Sequence, residues 1–152
     1  RQAGFEHYEV SAWAKPNHRC RHNLNYWQFG DYLGIGAGAH GKITTEGGVI
    51  SRLMRHRHPK HYLANDDSIA VRRTVDPDSA VFEFALNAFR LTEGFPLTLF
   101  HSRTGLPSAV IRAKLREAEQ DGLLIVTRDW VETTDLGGRF LDDLVARFLP
   151  EK

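Results

Sequence analysis

The hydrophobic pattern changes character between residues 65 and 77, where the runs NDDS (65–68) and DPDS (76–79) supply turn and helix-start chemistry. Before this point the chain is rich in glycine, histidine and aromatic residues, and its apolar residues come in short runs. Beyond it they recur at spacings of three and four. A chain of 152 residues written this way is expected to fold as two modest pieces, 1–70 and 71–152, of the α+β class.

In the first piece the run 8–13 alternates as a strand would, 21–29 offers one or two helical turns, and 31–36 reads as a short buried strand. Residues 41–53 predict a hairpin turning at Gly47-Gly48, and Pro59 opens a short helix running to Asn65. In the second piece Asp78 or Ser79 is placed to cap a helix over about 79–92, with Val81, Phe82, Ala85, Leu86 and Phe89 on its core face. A shorter helix over 97–104 stops at Gly105, and a third runs from a Ser108 cap to Gly122. Strands within 123–128 and 129–134 then meet at a tight turn near Arg128 and Asp129, followed by a last helix over about 135–149. Helix, helix, helix, hairpin, helix is the order of a winged-helix-like module.

Such a module invites a groove-binding role in which the third helix would enter DNA. That helix carries Arg112, Lys114 and Arg116 against Glu117, Glu119 and Asp121, an even mix, whereas phosphates demand a net cationic face. The whole chain holds 20 basic and 19 acidic residues, so no nucleic-acid partner is expected. No apolar run approaches the roughly 20 residues of a membrane span. The first residues lack an initiator Met and a secretory leader, and read like a cut through a longer chain. Cys20 is the single cysteine, which excludes an internal disulfide and a cysteine-held cluster made by this chain alone, and favours a reducing, cytoplasmic setting.

Two segments could carry chemistry. Gly34-Ile35-Gly36-Ala37-Gly38-Ala39-His40 follows the expected strand, and its small residues would let backbone approach a flat ligand closely. It departs from the dinucleotide and Walker patterns, and a tight strand end is the alternative reading. If 21–29 is helical, His22 stands one turn from Asn25 and Tyr26, setting an imidazole beside aromatic surface. Such a face suits a porphyrin, with histidine on the iron, although a hydrogen-bonding role in the fold is open to it as well. Glu6, Glu9, Arg19 and Arg21 receive no role from spacing. The basic segment 52–61, with Arg52, Arg55, Arg57 and Lys60 among three histidines, could meet a carboxylate or phosphate, or be a solvated loop.

Taken together, YEVSAWAKP, RHNLNYW and DYLGIGAGAH resemble the oxygen-independent coproporphyrinogen III oxidase-like radical S-adenosylmethionine family. His22, Asn23, Tyr26 and Trp27 fit the HNxxYW motif of its haem-chaperone (HemW) branch at every fixed position. FRLTEGFPLTLFHSRTGL and GRFLDDLVARFL are similar to the family's C-terminal helical and winged domain. The resemblance implies the terminal strands of a radical S-adenosylmethionine barrel, near 8–11 and 32–36, followed by a winged-helix-like domain. It also implies a complete protein that uses S-adenosylmethionine and a 4Fe-4S cluster held by CxxxCxxC. This chain lacks that triplet and is expected to be inactive alone.

On the same resemblance Gly36, Ala37, Gly38, Ala39 and His40 border a pocket for S-adenosylmethionine or tetrapyrrole. His22 meets haem iron with Asn23, Tyr26 and Trp27 beside it, Cys20 is a second candidate ligand, and the segment 52–61 meets the propionates. The implied partners are haem or porphyrin and a haem-acceptor protein, with membrane contact only through the acceptor. Two other readings stay open: part of an oxidase converting coproporphyrinogen III to protoporphyrinogen IX, and a non-catalytic interaction module in which His22 ties a loop to the core.

Overall fold

The computed structural model describes residues 3–64 and 68–150; part of the expected boundary, residues 65–67, lies outside the described residues. The chain forms two compact units, residues 1–29 with 77–152, and residues 30–76. The first 29 residues group with the second half, because they bond to the segment that ends its first helix.

Strands β1 (Glu6–Glu9) and β2 (Ala12–Ala14) pair antiparallel with a bulge after His7, so the run 8–13 is a hairpin corner instead of one strand. Val10 N–H donates to the Arg90 carbonyl (3.1 Å), Thr92 N–H to that of Tyr8 (3.3 Å), and Thr92 Oγ1 to that of His7 (2.7 Å). Helix α1 (Arg21–Trp27) forms where expected, with Cys20 at its N-cap making no side-chain bond. Phe29 follows at φ +53°, and its buried ring meets Phe84 edge-on, centroids 6.0 Å apart.

The second unit is an antiparallel sheet in the order β3-β4-β5: β3 (His40–Thr44), β4 (Ile50–Arg55) and β5 (Ile69–Thr74). The β3–β4 hairpin turns through Gly47 and Gly48, the latter at φ +78°, as the sequence predicts. Helix α2 (Pro59–Ala64) opens at Pro59 as expected; Asn65 is outside the described residues. Strand β5 was not foreseen, because IAVRRT shows no apolar alternation. The expected buried strand at 31–36 does not form: Tyr32 makes an isolated bridge to Lys42, while Leu33 and Ile35 are 70% and 84% exposed. Gly36 at φ +105° turns the backbone out of any ladder.

The first unit resumes with α3 (Pro77–Ala88), β6 (Phe95–Pro96), α4 (Leu97–Thr104) and α5 (Ala109–Gln120). Then come β7 (Leu124–Val126), β8 (Trp130–Thr133), α6 (Asp135–Arg139) and α7 (Leu141–Ala146). Helix α3 starts earlier than expected, with Pro77 in its first turn, where a missing N–H costs nothing. Its buried face is Ala80, Val81, Phe84, Ala85 and Ala88, whereas Leu86 is exposed. Phe84 is the hub of the core, edge-on to Phe95 (5.2 Å) and Phe100 (5.1 Å) as well as Phe29.

Helix α4 ends at left-handed Gly105 as predicted. Ser108 precedes α5 without a side-chain cap bond, and Ile111, Leu115 and Ala118 form that helix's buried stripe. Strand β6 was missed by the sequence reading; it gives a sheet ordered β6-β8-β7. The expected final helix is broken at Phe140 (φ −112°, ψ 41°) into α6 and α7. A Cβ on Gly137 would lie 2.1 Å from the Leu123 carbonyl oxygen, so close packing favours glycine where a helix former would serve the longer helix.

Candidate functional site

Helix α1 sets the imidazole of His22 edge-on to the Tyr26 ring, with centroids 4.7 Å apart and planes at 86°. This is the i, i+4 pairing the spacing predicts, and the histidine is exposed. Elsewhere on the helix Leu24, together with the C-cap residue Gln28, lines a cleft of about 250 Å³ with Tyr8, Arg19 and Phe95. Trp27 carries the Arg90 guanidinium over its ring, with Cζ 4.4 Å from the centroid. Its Nε1 is buried and finds no hydrogen-bond partner among the described residues. An orphan donor of that kind costs about 1–3 kcal/mol, so the indole is held by packing against Arg90 and not by its N–H.

Two ion-pair networks flank the helix, and the sequence reading assigned neither. Arg90 donates from Nε (3.2 Å) and Nη2 (3.1 Å) to Glu9 Oε2, and from Nη2 to Ser11 Oγ (3.2 Å). The other oxygen of Glu9 accepts from Ser11 N (3.0 Å) and Oγ (2.8 Å), and this carboxylate is 1% exposed. Arg19, two residues before α1, is bidentate to Glu93, with Nη1 2.6 Å from Oε2, and also reaches Glu6 at 3.3 Å. The Glu93 hydrogen bond outweighs burial and raises the Arg19 pKa, and the same bond lowers that of Glu93. Glu9–Arg90 and Arg19–Glu93 join residues 81 and 74 apart in sequence, a separation at which no local motif signals a partner. Cys20 is a free, exposed thiol.

The glycine segment lies in the second unit, and its amides are largely spent within that unit. Gly36 N–H donates to Tyr62 Oη (3.2 Å) and Gly38 N–H to the His56 carbonyl (2.8 Å), while the Ala39 carbonyl accepts from Arg55 N–H (2.8 Å). Arg55 Nε also reaches the Gly34 carbonyl at 3.2 Å. Gly34 is there for close packing, since a Cβ would sit 2.1 Å from the His40 carbonyl oxygen. Ala37 and His40 are exposed. In the basic segment His58 and His61 lie 5.2 Å apart and His56 and His61 6.4 Å, centroid to centroid, while Arg52 donates to Tyr32 Oη (3.0 Å). The candidates thus divide between units: His22, Asn23, Tyr26 and Trp27 in the first, Gly36, Ala37, Gly38, Ala39 and His40 in the second.

Beside the glycine segment Lys42, 1% exposed, donates through Nζ to Asp31 Oδ1 (2.7 Å) and Thr44 Oγ1 (3.2 Å). Burial pushes the Asp31 carboxyl up, but hydrogen bonds from Lys42 and from Thr44 N–H and Oγ1 together hold it below the usual aspartate value of 3.8. A depressed pKa contributes stability that is present above the unfolded value and lost as pH falls through the folded one. The thermal midpoint of the wild type is therefore expected to exceed that of Asp31→Asn at neutral pH. Thermal scans at falling pH should show the gap closing only below the usual aspartate value. A gap that closes nearer neutrality would exclude this carboxylate as its source.

Among the described residues no cluster of three or more His, Cys, Asp or Glu could hold a metal ion, and no helix is long and apolar enough to cross a membrane. A haem iron asks for less, since a single imidazole and an apolar ring face suffice to begin a site.

In fold the chain is similar to the Escherichia coli coproporphyrinogen III oxidase HemN, a radical SAM enzyme, with TM-score 0.62 and 13% identity over 97% of this chain and 37% of that one. Residues 75–140 match the family model of the HemN C-terminal domain. The chain is thus similar to the C-terminal portion of coproporphyrinogen III oxidase-like proteins. It is 45% identical over 149 residues to heme chaperone HemW of Escherichia coli and 41% identical over 150 residues to that of Haemophilus influenzae. These alignments take in 98% and 99% of this chain, which spans 39% of each relative's length.

Proposed function

We propose that this chain is the C-terminal part of a haem chaperone, which binds haem and passes it to an acceptor protein. In this reading His22 gives the axial nitrogen, Tyr26 and Trp27 cover part of the apolar ring, and Asn23 lies on the same helix for a polar edge. In the other unit Gly36, Ala37, Gly38, Ala39 and His40 border the S-adenosylmethionine or tetrapyrrole pocket of the longer protein, and the cations of the segment 52–61 suit a carboxylate. Residues 71–152 act as the winged-helix-like domain, and the 4Fe-4S cluster is held by residues outside this chain. The setting is cytoplasmic.

The observation that carries this reading is the exposed His22 imidazole set against Tyr26 on a helix with no fully buried residue. A histidine tying a loop to the core would be turned inward, and this one is not. Burial of the macrocycle supplies most of the affinity, and the ligand sets its orientation. Titration of haem into the chain is expected to shift the Soret band, and His22→Ala to weaken binding about tenfold or more with loss of that shift. Identical titrations of wild type and His22→Ala would remove His22 as the ligand.

A further inference from the structure

We propose that Arg90 is the positioning residue of the His22 helix: held by Glu9 and Ser11, its guanidinium carries the Trp27 indole and fixes how α1 presents its histidine. Helix α1 has seven residues, too few to persist by its own hydrogen bonds. It also lacks a side-chain cap, an acidic first turn and a basic last turn. Its placement must come from tertiary contacts. Arg19 anchors the chain before the helix and Phe29 the chain after it. Between these anchors the Trp27 indole lies on the Arg90 guanidinium, and this contact bears on how the helix is rolled about its own axis.

The geometry suits that task. Glu9 is almost wholly buried and turns one oxygen to Ser11 and the other to two nitrogens of Arg90, so the plane of the guanidinium is set from below. Arginine alone combines a rigid fork for the carboxylate with a flat face for the indole; lysine keeps the charge and loses both. The buried, unpartnered Nε1 of Trp27 offers no competing anchor. Since His22 and Trp27 share one short helix, a change in roll at the indole moves the imidazole with it. That Arg90 governs α1 stands on these contacts; that it governs haem binding rests also on the reading of His22 given above.

The test uses the whole chain with Arg90→Lys and Arg90→Met, followed by amide hydrogen exchange and by haem titration. In both variants the amides of α1 are expected to exchange about tenfold faster while those of α3 keep their wild-type protection. Haem affinity should fall toward that of His22→Ala, with no further loss in the double variant. Unchanged exchange in α1 overturns the proposal. Exchange that accelerates throughout the unit also overturns it, because Arg90 would then hold the fold at large. Faster α1 exchange in a chain whose wild type binds no haem upholds the control of α1 and refutes the haem reading alone.

Discussion

Replacing Phe84 by alanine is expected to lower stability by about 3–5 kcal/mol, the usual range for truncating an aromatic side chain inside a packed core. The ring is 1% exposed and makes edge contacts with Phe29, Phe95 and Phe100, which come from the end of the α1 segment, from β6 and from α4. Its loss leaves a cavity that three rigid neighbours cannot all close. The contact to Phe29 ties this core to the polypeptide that carries His22, so the effect should extend to α1. Chemical denaturation gives the comparison directly when Leu86→Ala, on the same helix but 47% exposed, serves as the control. The control should cost under about 1 kcal/mol. Similar losses in the two variants would mean that Phe84 is not the hub.

The second large effect is at Gly94. Its φ is +72°, and a Cβ there would lie 2.1 Å from the Val131 carbonyl oxygen and 2.9 Å from the Cα of Glu132. Both obstacles are backbone, so neither can swing aside. Gly105 has nearly the same φ, +73°, but open space around its missing side chain. Gly105→Ala is therefore expected to cost only the left-handed conformation, about 1–2 kcal/mol, and Gly94→Ala more than about 3 kcal/mol because the clash adds to it. Equal midpoints in urea would show that β8 yields at this point. Glu93, the partner of Arg19, adjoins Gly94, so a displaced strand should also loosen the chain entering α1.

Local chemistry was legible wherever it acted over a few residues. Pro59 opening α2, Gly48 turning the β3–β4 hairpin, Gly105 ending α4 and the His22–Tyr26 pairing all depend on neighbours within a turn or two. Features that depend on distant backbone were not. The run 31–36 has the apolar content of a buried strand, yet the close approach of Gly34 to His40 and the turn at Gly36 leave Leu33 and Ile35 exposed. The buried face of α3 is rolled away from Leu86 toward Phe84 because the aromatic partners lie on other elements.

What the sequence determined by itself is the family resemblance, through the HNxxYW run and the segments around it, and the existence and type of the longer helices. Only the tertiary structure decided that the first 29 residues pack with the last 76, that Glu9 is a buried partner of Arg90, and that Trp27 rests on that arginine. The physical reason is range. Capping, turns and helical spacing act between near neighbours and are written in order along the chain, whereas an ion pair across 81 residues exists only once the fold has brought its two ends together.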